Sequence, residues 1–130
     1  ACGATEGEID LIVYGEVSTT VLSRWNRDWG MNESTPKIKM EMLPLDYILF
    51  HNKIECFDLL VIDVEEAEIE VLKGFTLESY LPKMIIIELH EAQGTRPDQK
   101  GWQTPWVDSY LNGYKKVYFD TINTIYVRES

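Results

Sequence analysis

The sequence predicts an α/β protein built around a parallel strand, helix, strand unit and closed by an antiparallel hairpin. Three observations predict it. Phe57 to Val64 (FDLLVIDV) is a continuous apolar run of strand length that closes on Asp63, the pattern of a strand buried on both faces. Glu65 to Lys73 (EEAEIEVLK) follows with helical spacing, and Met84 to Leu89 (MIIIEL) is a second buried run after Pro82 and Lys83. Tyr114 to Asp120 (YKKVYFD) and Thr124 to Arg128 (TIYVR) are short β-rich runs separated by Thr121, Ile122 and Asn123, which is hairpin spacing. A strand feeding a helix that feeds a second buried strand implies a right-handed parallel crossover.

The other elements follow in chain order. Glu8 to Tyr14 (EIDLIVY) is apolar and β-branched after Gly7, and Lys37 to Met42 (KIKMEM) alternates charged and apolar residues with the period of a half-buried strand. These two could pair antiparallel. Gly15 to Pro36 lies between them and holds Ser18, Thr19, Thr20, Trp25, Trp29 and Gly30; its length argues for a mobile or functional loop that could hold one short helical turn. Pro44 opens a short helix through about Phe50, at a position where its missing N–H costs nothing. In the central helix Glu65, Glu66 and Glu68 crowd the first turn, Lys73 sits in the last, and Gly74 is a stop. Glu91 to Thr104 reads as a long polar loop, and a further helix runs from Pro105 to about Leu111 before Asn112-Gly113 breaks it.

With 130 residues, 45% of them apolar and 26% charged, the chain suits one domain of residues 1–130 with one core. Its formal charge of -10 repels phosphate backbones and anionic lipid, which excludes nucleic acid and membrane surfaces as main partners. Cys2 and Cys56 are too few for a disulfide framework and have no Cys-x-x-Cys spacing, so a reducing, cytoplasmic location is expected. The longest apolar stretches, Leu59 to Ile62 and Met84 to Ile87, are far short of the roughly 20 residues that cross a bilayer. There is no basic region followed by an apolar one at the start, so no secretory signal is expected. Ala1 in place of methionine is compatible with initiator removal or with an excised piece of something longer.

Ligands of open α/β sheets gather beyond the carboxyl ends of the parallel strands. One such end displays Asp63, Glu65, Glu66 and Glu68, and the other displays Glu88, His90 and Glu91. Residues two apart share a strand face, so Glu88 and His90 point the same way, and neighbouring strands would bring Asp63, Glu88 and His90 to one site. The glutamates at the helix start also have a plain role, offsetting the helix dipole. Asp63 and Glu88 end apolar runs, where a carboxylate must be paired, solvated or used. His51 reads as a surface or core-edge residue. Two carboxylates and an imidazole would suit non-haem iron, manganese or zinc, but the spacing is not specific. Trp25, Trp29, Trp102 and Trp106 fall in or beside the long loops, where they either line an acceptor such as a sugar or polyketide or anchor the loops on the core. Cys2 to Gly7 holds two glycines without the G-x-G-x-x-G spacing.

The stretch from Asp58 through Asp63-Val64-Glu65-Glu66-Ala67-Glu68 to Leu72-Lys73-Gly74, with Pro82 and Ile85-Ile86-Ile87-Glu88-Leu89-His90, resembles the FkbM methyltransferase family. Weaker similarity covers Ala4 to Leu11 and Leu45-Asp46. Glu66 stands where the family usually has glycine, and Val61 where it usually has lysine. The resemblance implies a partial Rossmann-like methyltransferase sheet and O-methyl transfer from S-adenosylmethionine to a hydroxyl of a sugar or secondary metabolite. The family's cofactor platform, a glycine-rich turn after the first strand and an acidic residue ending the second, is not legible before Ala1, so the chain would be the acceptor-side part. Asp63, Glu65, Glu88 and His90 would then be the catalytic candidates. Asp63 would lie near the methionine end of the cofactor, and His90 or Glu88 would take the hydroxyl proton. The other reading is a non-enzymatic binding or assembly module, half of a doubly wound sheet whose exposed edge a homodimer covers.

Overall fold

A computed structural model of the chain describes residues 1–15, 18–20, 30–89, 103–120 and 122–129. The architecture is mixed α/β, with a two-stranded antiparallel sheet and a four-stranded mixed sheet. The chain divides into two compact units, Ala1–Ile48 with Val64–Phe75, and Leu49–Asp63 with Thr76–Ser130. The boundary between Ile48 and Leu49 falls inside the helix α1 (Leu45–His51), which follows Pro44 as expected.

In the first unit, β1 (Gly7–Ile12) and β2 (Lys37–Met42) pair antiparallel, from Gly7 opposite Met42 to Ile12 opposite Lys37. The expected pairing is present, but β1 stops two residues before Tyr14. Ile12 exchanges both backbone hydrogen bonds with Thr19, at 2.8 and 3.1 Å, and the Tyr14 N–H donates to the Ser18 hydroxyl at 3.0 Å, so the chain turns there. Lys39 reaches Asp10 at 3.1 Å and Glu8 at 3.4 Å across the ribbon. The hydrogen bond to Asp10 is the main reason its ammonium holds its proton more firmly than usual. Exposed pairs of this kind contribute little to stability. The helix α2 (Glu68–Lys73) buries Ile69, Val71 and Leu72. Gly74 caps it, though not through left-handed backbone: its φ is -91°. A Cβ at that position would collide with the carbonyl oxygen of Gly3 and lie 3.1 Å from the Pro44 Cα, so close approach of backbones requires the glycine.

The second unit holds β3 (Leu59–Ile62), α3 (Leu77–Tyr80), β4 (Met84–Glu88), α4 (Gln103–Tyr110), β5 (Tyr114–Phe119) and β6 (Asn123–Arg128). The strand order is β3-β4-β6-β5. β3 and β4 run parallel, with Leu59 opposite Met84 and Ile62 opposite Ile87, while β4, β6 and β5 pair antiparallel. The parallel pair and the terminal hairpin are both as the sequence predicts. The short α3 is an addition; it ends at Leu81, whose left-handed φ of 46° places its N–H 2.9 Å from the Leu77 carbonyl.

The expectation that the central run is buried on both faces is corrected. Paired residues share a face. One face carries Ile62, Ile85, Ile87, Thr124 and Tyr126, all buried. α4 reaches this face at β6 and β5: the Tyr126 hydroxyl donates to Asp108 at 2.7 Å, Lys116 pairs with Asp108 at 2.9 Å, and Val107 and Leu111 are buried. The opposite face carries Leu59, 49% exposed, and Val61, 58% exposed, with the exposed Met84 on β4 and Tyr118 on β5. A run that is apolar at every position cannot show by itself which of its two alternating sets is covered.

Candidate functional site

Two groups of the acidic residues singled out from sequence are positioned by different local structure. The first group stands at the carboxyl rim of the parallel pair in the second unit. β3 ends at Ile62, opposite Ile87, so one further step of the register brings Asp63 level with Glu88, the last residue of β4. Asp63 is exposed and Glu88 is half-buried. Glu88 lies opposite Asn123 of β6, and the next residue, Leu89, donates its N–H to the Ile122 carbonyl at 2.6 Å. The structure therefore brings Asp63 and Glu88 to one rim on adjacent strands. His90 and Glu91 lie outside the described residues, as do Trp25, Trp29 and Trp102 and nearly all of the Glu91 to Thr104 loop.

The second group forms a turn in the first unit. Sequence spacing predicts a helix from Glu65 with three glutamates in its first turn, but the helix starts at Glu68. Glu65 and Glu66 have φ of 51° and 77°, left-handed values that a side chain disfavours and that cannot belong to a right-handed helix. Glu66 occupies a backbone position suited to glycine, the residue usual there in the family pattern. Two side chains hold the turn. Glu68, 1% exposed, accepts the N–H of Val64 at 3.3 Å and of Glu66 at 3.1 Å on Oε1. Thr19, buried, donates its hydroxyl to the Glu65 carbonyl at 2.6 Å. Burying a carboxylate is costly unless backbone donors meet it.

Sequence reasoning assigned Thr19 no role beyond its loop and treated Glu68 as one more dipole partner. The available signal was Glu68's place among Ala67, Ile69, Val71 and Leu72, where an acid needs a specific reason. Nothing in the sequence pointed from Thr19 to a turn 46 residues away.

The remaining candidates resolve simply. His51 is exposed at the end of α1, edge-on to Phe50 at 5.4 Å, as its surface reading expects. Trp106 lies within α4, stacked on Tyr110 at 5.1 Å, which favours the packing role over an acceptor contact. Among the described residues no three His, Cys, Asp or Glu side chains are grouped to hold a metal ion. No helix among them is long and apolar enough to cross a membrane. Burial pushes the Cys2 thiol above its ordinary range.

The chain is mixed α/β, with Asp63 and Glu88 at the carboxyl rim of its parallel pair, and the family assignment gives the class. The family model described as Methyltransferase FkbM domain matches residues 1–119. The chain belongs to the FkbM methyltransferase family. A search of curated proteins finds no match, and neither does a search of solved structures.

Proposed function

We propose that this chain is the acceptor-side part of an S-adenosylmethionine-dependent O-methyltransferase with a Rossmann-like sheet, acting on a hydroxyl of a sugar or secondary metabolite. The observation that carries the reading is the rim where Asp63 and Glu88 leave adjacent parallel strands, combined with membership of a methyltransferase family. Ligands of such sheets sit beyond that rim.

The residues fit the cofactor in part. A free carboxylate such as Asp63 accepts hydrogen bonds from an amino group, which suits the methionine end. The turn after β3 carries glutamates and no glycine, so it can accept hydrogen bonds from hydroxyl or amino groups of a ligand but offers no glycine-rich cradle. When bound, S-adenosylmethionine supplies an electrophilic methyl group on a sulfonium. The protein's part is to orient the acceptor hydroxyl in line with that methyl and to receive its proton, on Glu88 or His90. Glu65 is the further candidate contact. The two free thiols, Cys2 and Cys56, support a reducing, cytoplasmic setting.

Amide shifts of the labelled chain, titrated with S-adenosylhomocysteine to millimolar concentration, test this reading. Weak binding centred on Asp63 and Glu88, reduced in Asp63→Asn and Glu88→Gln, is expected. Saturating titration with no shift at either residue would remove the rim as a cofactor and acceptor site.

A second reading has its own observation. β5, one edge of the four-stranded sheet, carries Lys115, Lys116 and a register irregularity, devices that discourage strand addition. β3, the other edge, is Leu-Leu-Val-Ile with no charge and an exposed apolar face. In this reading the chain is a binding or assembly module whose β3 edge is covered by a second copy. Sedimentation at micromolar concentration showing only monomer would rule it out.

A further inference from the structure

The Val64 to Glu66 turn is held from two directions. Glu68 reaches back from the first residue of α2 and collects the N–H groups of Val64 and Glu66, so its carboxylate bridges both sides of Glu65. Thr19 approaches from the segment between β1 and β2 and donates to the carbonyl of Glu65, a group that a carboxylate acceptor cannot bind. Thr19 is itself fixed by its reciprocal backbone pair with Ile12, the last residue of β1. The turn therefore has acceptors and a donor supplied to consecutive backbone groups by two buried side chains, and its two central residues adopt a conformation that a glutamate would otherwise leave. Local structure alone does not favour this form, so the side chains select it.

We propose that Thr19 and Glu68 are positioning residues that act through Glu65: together they hold the Glu65–Glu66 turn left-handed, and the Thr19 hydroxyl couples the segment after β1 to the motif carrying the candidate acids. This rests on the methyltransferase reading only in giving Glu65 a ligand to meet. The coupling itself is a property of the fold. Glu66 is the element that makes the clamp necessary, because glycine would take the same backbone angles without steric cost. A chain with glycine at 66 needs less help from Thr19.

Backbone amide hydrogen exchange of the full chain tests the coupling. Thr19→Val removes the hydroxyl and keeps the shape; it is expected to speed exchange at Val64 and Glu66 about tenfold, the loss of one buried hydrogen bond, while the amide of Ile87 in the sheet core is unchanged. Thr19→Ser, which keeps the hydroxyl, is expected to exchange at the wild-type rate. Adding Glu66→Gly to Thr19→Val is expected to return most of the lost protection at Val64. Equal rates for the Ser and Val variants, or no recovery with glycine, would overturn the proposal. A wild-type chain that ignores S-adenosylhomocysteine while showing this exchange pattern would count against the methyltransferase reading and leave the clamp standing.

Discussion

The two faces of the four-stranded sheet have nearly the same composition and opposite environments. Ile62, Ile85, Ile87 and Tyr126 are buried, whereas Leu59 and Val61 on β3, Met84 on β4 and Tyr118 on β5 remain exposed on the opposite face. The difference teaches that hydrophobicity in β3 and β4 reports a capacity for burial, and that what packs against a face, as α4 does at Tyr126 through Asp108, decides which set uses it. A face this apolar and this exposed is unusual for an isolated surface. It also accounts for Val61, since a position open to solvent accommodates the family's usual lysine as readily as valine.

Substitutions on the two faces separate these environments. Ile87→Ala on the buried face should cost about 3 kcal/mol of unfolding free energy in urea titration, through lost transfer energy and a cavity; a cost under a third of that would mean the Ile87 side chain is not packed as described. Tyr126→Phe should cost about 1 kcal/mol, because its buried hydroxyl donates to Asp108 and Lys116 still faces that carboxylate. Val61→Lys on the open face should stay within about 0.5 kcal/mol of the parent. If a second copy covers β3, the same change should shift sedimentation toward monomer.

The smallest effect concerns the hairpin joining β5 to β6. The Asp120 carboxylate accepts the N–H of Asn123 at 2.7 Å and of Ile122 at 3.1 Å, and the Tyr118 hydroxyl at 3.0 Å. The backbone hydrogen bond from Asn123, then that from Ile122, hold it below the usual carboxylate range. A carboxyl with a depressed folded value adds stability that is present above its unfolded value near 4 and fades as pH falls through the folded value. The turn amides should lose protection on acidification over that window, and Asp120→Asn should flatten the pH dependence. An unchanged profile in the Asn variant would assign the effect to another group.

Much of the fold was legible because period and punctuation agree with it. The alternation in Lys37 to Met42, the apolar runs before Asp63 and Glu88, Pro44 before α1, and Asn112-Gly113 before the hairpin each mark an element that forms. What was illegible is nonlocal. The glutamates at 65, 66 and 68 fit a helix by spacing, while the carboxylate of Glu68 and the hydroxyl of Thr19 hold the first two out of it. The rim formed by Asp63 and Glu88 was readable from strand ends alone, since a parallel pair must align its carboxyl termini. Strand-end position and alternation single out Glu65 and His90, but the catalytic roles given to them come from the resemblance.

The crowding at Gly74 has a consequence for how this sequence can drift. What blocks a side chain there is main chain, the carbonyl of Gly3 and the Cα of Pro44, which every residue type at those positions would still carry. Trimming a bulky neighbour therefore makes no room, and a library that randomises the surrounding positions should return no suppressor of Gly74→Ala. Gly7 and Gly113, where an added Cβ would meet nothing, are free of that constraint on space.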